Sequence, residues 1–100
     1  MLNINDLAEQ AHTLAERRGF KTDVLSCLKH CAGEVTEAVE ANTVYNKTGE
    51  KADQNHLAEE LADIIICALT ASAEEEIDIE IAVNEAMLKN ARRAYGTQTA

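Results

Sequence analysis

One hundred residues is a single-domain length, so residues 1–100 are expected to form one domain. A formal charge of −9 argues against a duplex nucleic acid or an anionic membrane as partner, because either would need a basic face. Hydrophobic residues at 46% argue against a disordered tail, and three aromatics with no Trp leave an aliphatic core.

The elements follow in chain order. Residues 5 to 18 place Leu7, Ala11, Leu14 and Ala15 at helical spacing, and Arg17-Arg18-Gly19 reads as a basic last turn followed by a glycine stop. Thr22 or Asp23 can cap a second helix that runs to about Tyr45. Its main apolar stripe is Leu25, Leu28, Ala32, Val35 and Val39. Residues 46–53 are polar, contain Gly49 and show no period, which predicts the longest loop. Asp53 can cap a third helix over about residues 54–75, with Leu57, Leu61, Ile64, Ala68 and Leu69 inward. Asp78 can cap a fourth, carrying Ile79, Val83, Met87 and Ala91 and stopped by Gly96. The class is therefore all-α, a four-helix bundle with short links, whose thin core predicts assembly as a homodimer or homotetramer.

Cys27, Cys31 and Cys67 all lie in helical apolar patterns and cannot all pair internally. Free thiols in a reducing cytoplasm are the simplest reading. No secretion signal is visible, and the apolar run from Leu61 to Ala71 is too short to span a bilayer.

The chemistry concentrates on two acid pairs. Asp63 interrupts Leu61-Ala-Asp-Ile-Ile-Ile-Cys-Ala-Leu69, a setting that predicts partial desolvation and hence a need for a cation. Glu60 lies three residues earlier on the same helical face. On the second helix, Glu34 and Glu37 are also three apart, and Glu34 keeps company with the small residues Cys27, Cys31, Ala38 and Ala41. Glu40 is expected to face solvent, and the run Glu74-Glu75-Glu76 reads as a solvated helix end. Two helices each presenting two carboxylates make an all-oxygen donor set suited to Mg2+, with Mn2+ as the alternative. Most acid pairs at this spacing are merely solvated surface, so the apolar framing of Glu60 and Asp63 carries the argument. Near the chain's end, Lys89, Asn90 and Arg93 share one helix face. They either complement the helix C-terminus, worth roughly 0.3–1 kcal/mol, or clamp phosphates.

Glu34-Val-Thr-Glu37, a loop, Glu60-Leu-Ala-Asp63 and then Lys89-Asn90 with Arg93 resemble the MazG-like family of all-α nucleoside triphosphate pyrophosphohydrolases. Gly33-Glu-Val-Thr-Glu-Ala38 and Arg18-Gly-Phe20 also look like the family, and the resemblance covers about residues 14 to 95. Gly33 stands where many members carry an extra acid, and Phe20 where some carry tryptophan. The resemblance implies Mg2+-dependent hydrolysis of nucleoside or deoxynucleoside triphosphates to monophosphate and pyrophosphate, serving removal of unwanted nucleotides. It implies metal ligation by Glu34, Glu37, Glu60 and Asp63, with Glu37 a candidate general base that nothing in the sequence separates from a ligand. It also implies phosphate binding by Lys89, Asn90 and Arg93, while base stacking on Phe20 is the weakest of these assignments.

Other readings stand beside this one. A non-catalytic acidic helical scaffold explains the bundle but not Asp63. A di-iron carboxylate site wants two Glu-x-x-His motifs and finds only Glu9-Gln-Ala-His12. Zinc on Cys27, His30 and Cys31 is disfavoured because the cysteines sit on an inward stripe, and His30 and His56 read as surface residues.

Overall fold

A computed structural model describes residues 3–94 as four helices: α1 (Ile4–Arg17), α2 (Val24–Thr48), α3 (Lys51–Glu74) and α4 (Ile79–Ala94). No strand occurs among the described residues, so the architecture is all-α as the spacing predicts. No helix among them is long and apolar enough to cross a membrane.

The helix ends have local causes. Asn3 caps α1 by accepting from the Asp6 N–H at 2.8 Å, and Asp23 caps α2 by accepting from the Ser26 N–H at 3.0 Å. Gly19, at φ 77°, closes α1 in a Schellman motif. Its N–H reaches the Glu16 carbonyl, and the Phe20 N–H reaches that of Ala15. Gly49, at φ 64°, closes α2 through a 2.8 Å bond to the Tyr45 carbonyl.

The predicted loop over residues 46–53 is mostly helix. α2 continues to Thr48, the turn is Gly49–Glu50, and α3 starts at Lys51. Asn46 and Lys47 have no buried side to show a period, yet their backbone continues the ladder. Asp53 is not a cap: it lies in the first turn of α3 and accepts from the Thr48 hydroxyl, while the N-cap is Glu50. Gly96 lies outside the described residues.

The faces of α2 are the reverse of those its apolar stripe suggests. Cys27, Ala38 and Ala41 are buried, with Cys31 and Glu34 half-buried beside them. Leu25, Leu28, Val35 and Val39 are 45–62% exposed. Small side chains let α3 approach closely, so α2 and α3 form the main antiparallel pair. On α3 the line facing α2 is Glu60, Ile64, Cys67 and Ala71, spaced four, three and four. Leu57 is half-buried and Leu69 buried as expected, but Leu61 and Ala68 are exposed.

At about 100° per residue, the exposed stripe of α2 lies roughly 120° round from its buried line, and Leu61, Ile65 and Ala68 lie similarly far round on α3. In an antiparallel pair these two displacements fall on the same side. One flank of the hairpin is thus continuously apolar and exposed among the described residues. The accessible surface of 7492 Å² is about a third more than the roughly 5,600 Å² that a folded 10.9 kDa monomer shows.

α1 packs on α3, and α4 packs on α1. At the α1–α4 corner Asn5 donates to Asp78 at 2.9 Å and accepts from the Glu80 N–H at 3.2 Å. Asp78 also accepts from the Ile81 N–H at 3.1 Å, the capping role its position predicts.

Candidate metal centre and cleft

Helical spacing alone brings the acids together. Glu34 stands on the buried line of α2 and Glu60 on that of α3, so the two meet where the helices touch. Glu37, one turn on from Glu34, reaches the same place from the rim. One carboxylate oxygen from each of the three lies within 4.8 Å of the others. Glu60 is only 7% exposed. Oε2 of Glu34 and Oε2 of Glu60 are both buried with no hydrogen-bond partner.

Burial pushes the Glu60 carboxyl above the usual range, and the neighbouring Glu34 carboxylate adds to the rise; Glu37 and His56 pull the other way. A buried pair of carboxylates with orphaned oxygens has two remedies, a proton or a cation. The donor set is all carboxylate oxygen, which fits a hard divalent ion such as Mg2+ or Mn2+.

Two histidines flank the cluster. His30 Nε2 lies 3.2 Å from Glu34 Oε1, and His56 Nε2 lies 3.9 Å from Glu60 Oε1. Both pairs are i, i+4, a spacing visible in the sequence. Both histidines are exposed, as the sequence reading expects of surface residues.

The acids stand between two openings. On one side is a cavity of about 280 Å³ lined by Glu37, Glu40, Asp53, His56 and Glu60 among others. Glu40 is exposed as expected, yet it borders this acidic cavity. On the other side is a cleft of about 610 Å³ between α1, α2 and α3, with Glu34 and Asp63 in its wall. The same wall carries Arg18, Phe20, Lys21 and His30, and the thiol of Cys67. Arg18 lies 4.8 Å from the Phe20 ring centroid, and Phe20 lies 6.4 Å from His30, centroid to centroid.

The predicted site is assembled in part. Glu34, Glu37 and Glu60 converge; Asp63 is outside that group of three, lines the cleft together with Glu34 and is exposed. Partial burial was expected of Asp63, but its neighbour holds that place. Glu60 is on the α2-facing line, whereas Asp63 is displaced by about 60° toward the cleft. Lys89, Asn90 and Arg93 are exposed on α4 and line neither cavity. Phe20 does line the cleft, at 52% exposure.

The three cysteines are free, with Cys27 and Cys67 buried. Burial raises the Cys67 thiol to about 11 and also raises that of Cys27, the signature of packed, unreactive thiols. Glu74 is no mere solvated end: it accepts from the Thr22 hydroxyl at 2.7 Å and lies 2.7 Å from His12 Nε2. This joins α3 to α1 and to the start of α2, behind the cleft.

The profile of the MazG nucleotide pyrophosphohydrolase domain matches residues 8–96. No curated protein and no solved structure matches the chain. The match spans all four helices and both acid pairs, and the all-α fold agrees with it: the chain belongs to the MazG nucleotide pyrophosphohydrolase family.

Proposed function

We propose that this protein hydrolyses nucleoside or deoxynucleoside triphosphates to the monophosphate and pyrophosphate in a magnesium-dependent reaction, clearing unwanted nucleotides in the cytoplasm. The observation that carries this reading is the pair of orphaned buried oxygens, Glu34 Oε2 and Glu60 Oε2, inside a three-carboxylate cluster. An acidic scaffold has no use for that arrangement, which destabilises the fold unless it is filled.

Glu34, Glu37 and Glu60 would hold the ion, with Mn2+ an acceptable substitute, and Asp63 would complete the donor set from the cleft wall. When bound, magnesium would neutralise triphosphate charge and make water more acidic. Glu37 is the best candidate for general base because it is the exposed member of the cluster and so stays open to water. Its carboxylate would accept the water proton as the water oxygen bonds to phosphorus. The bridging bond between the α- and β-phosphates then breaks, and pyrophosphate leaves. Phe20 in the cleft wall supports a base-stacking role.

The uncovered flank of the hairpin supports assembly with a second copy, as a homodimer or a tetramer built from one. The single chain exposes roughly 1,900 Å² more than a compact monomer of its mass, and this flank is one part of that excess. Pairing through this flank would leave the cleft, on the opposite flank, open. Lys89, Asn90 and Arg93 remain the candidate phosphate clamp. Since they line neither cavity of their own chain, that role calls for the α4 of a second copy.

The test is pyrophosphate release from a panel of nucleoside triphosphates with Mg2+, with Mn2+ and with EDTA. Turnover in either metal and none in EDTA is expected; full turnover in metal-free buffer would remove the metal from the account.

A further inference from the structure

The cleft has two chemically unlike ends. Glu34 and Asp63 mark one; Arg18, Lys21 and Ser26 mark the other, where the α1–α2 connection enters. Ser26 lies eight residues before Glu34, roughly 12 Å along α2. A nucleotide with its phosphates at the acids would therefore carry its base to the cationic end. This step rests on the triphosphate reading given above.

That end is rich in donors and poor in acceptors. Guanidinium and ammonium groups donate hydrogen bonds and accept none. Arg18 is held in place by the Phe20 ring beneath it, 4.8 Å away. The nearby carboxylates are already engaged and do not line the cleft: Asp23 accepts from the Ser26 N–H, and Glu74 from Thr22. Thr70, 5% exposed in the same wall, donates its hydroxyl proton to the Ile66 carbonyl at 2.9 Å, so toward the cleft it can only accept.

We propose that Arg18 and Lys21 select the base by its keto oxygen, favouring uracil, thymine, guanine and hypoxanthine over cytosine and adenine. A ring carbonyl accepts from the guanidinium or the ammonium, and the N–H beside that carbonyl can donate to Thr70. An exocyclic amino group in the carbonyl's place sets donor against donor, and a ring nitrogen without hydrogen offers Thr70 nothing. A nucleotide seated in the cleft covers the otherwise exposed Arg18 and Lys21, and partners then left unpaired are what separate substrates most strongly.

The experiment compares pairs that differ at this position alone, dUTP with dCTP and ITP with ATP. Each is assayed for pyrophosphate release with Mg2+, using the unaltered protein, Arg18→Gln and Lys21→Ala. In the unaltered protein kcat/KM should favour the keto member of each pair by about 10-fold or more. Arg18→Gln, whose amide offers an acceptor beside a donor, should bring both ratios to within about threefold while turnover of dUTP persists. Equal efficiency on all four nucleotides in the unaltered protein would overturn the base preference and leave the hydrolase reading intact. A uniform loss across all four in Arg18→Gln, with the ratios unchanged, would assign Arg18 to phosphates and overturn the proposal as well. No release from any of the four would overturn the hydrolase reading itself, and the base preference with it.

Discussion

Glu34 and Glu60 meet where α2 packs on α3, and each holds an Oε2 oxygen buried without a partner. In the absence of metal this contact opposes the close packing around it, since two carboxylates repel in a desolvated place. Glu60→Gln keeps the shape and removes one charge. Its melting temperature in EDTA should therefore rise above that of the unaltered protein. Added Mg2+ should stabilise the unaltered protein, by about 2.7 kcal/mol at a hundredfold excess over its dissociation constant, and leave the variant nearly unmoved. Thermal melts with and without Mg2+ check both statements, and an equal magnesium shift in the two proteins would contradict them.

Asp63 stands in the cleft wall, exposed and outside the group that Glu34, Glu37 and Glu60 form. Asp63→Asn should leave the melting temperature unchanged, because no buried charge is altered. It should lower kcat/KM by about 10-fold or more, on the order of 1.4 kcal/mol of transition-state stabilisation. Steady-state kinetics decide this, and near-normal turnover would confine the metal ligands to the three glutamates that converge.

The corner formed by His12, Thr22 and Glu74 makes stability depend on acidity. Hydrogen bonds from His12 and Thr22 hold the Glu74 carboxyl below its ordinary value of 4.5. A carboxylate depressed in the folded state contributes stability that is fully present above its unfolded pKa, and the contribution fades as pH falls through the folded value. Asp23, held below 3.8 by its bonds from Ser26, and Asp78, held below 3.8 by the Asn5 amide and then by its capping bond from Ile81, act in the same direction. Glu74→Gln should thus lose stability near neutral pH and show a shallower decline on acidification below about pH 4.5. Urea titrations at a series of pH values measure the slope; parallel profiles for the two proteins would contradict the assignment.

The apolar flank of the α2–α3 hairpin offers a different test. Val39 is 61% exposed and Ile65 58% exposed in the single chain. If the flank met only water, a charge at either position would change stability by no more than about 0.5 kcal/mol. Pairing of two copies predicts instead that Val39→Glu dissociates the assembly and lowers the melting temperature, and that the unaltered protein's melting temperature rises with concentration. Sedimentation velocity of the two proteins gives the answer, and a concentration-independent monomer in both would refute the pairing.

Much of this architecture was legible in the sequence because its signals are local. Arg17-Arg18-Gly19 marks the end of α1 within one residue, and Asp23 caps α2 as its position before an apolar period suggests. The convergence of Glu34 and Glu37 was legible for the same reason, since spacing of three fixes a shared face. What was not legible depends on partners far away in the chain. Leu25, Leu28, Val35 and Val39 make the stronger apolar stripe, but periodicity cannot say whether the chain's own helices or another copy will cover it. Cys27, Ala38 and Ala41 lie against α3 instead because small residues admit a close helix. Glu60 and Asp63 differ by less than a quarter turn, finer than the apolar framing could resolve. The loop expected over residues 46–53 failed because a solvated helix segment carries no hydrophobic period to betray it.

Whether the carboxylates of α2 and α3 drive pyrophosphohydrolysis is decided by product analysis of Glu60→Gln beside the unaltered protein. Both are incubated with Mg2+ and a keto-base triphosphate, and monophosphate, pyrophosphate and inorganic phosphate are quantified. Equimolar monophosphate and pyrophosphate are expected from the unaltered protein, and at least about 100-fold slower release from a variant whose circular dichroism is unchanged. Release of inorganic phosphate in place of pyrophosphate, or undiminished pyrophosphate release by Glu60→Gln, would contradict that role for the carboxylates.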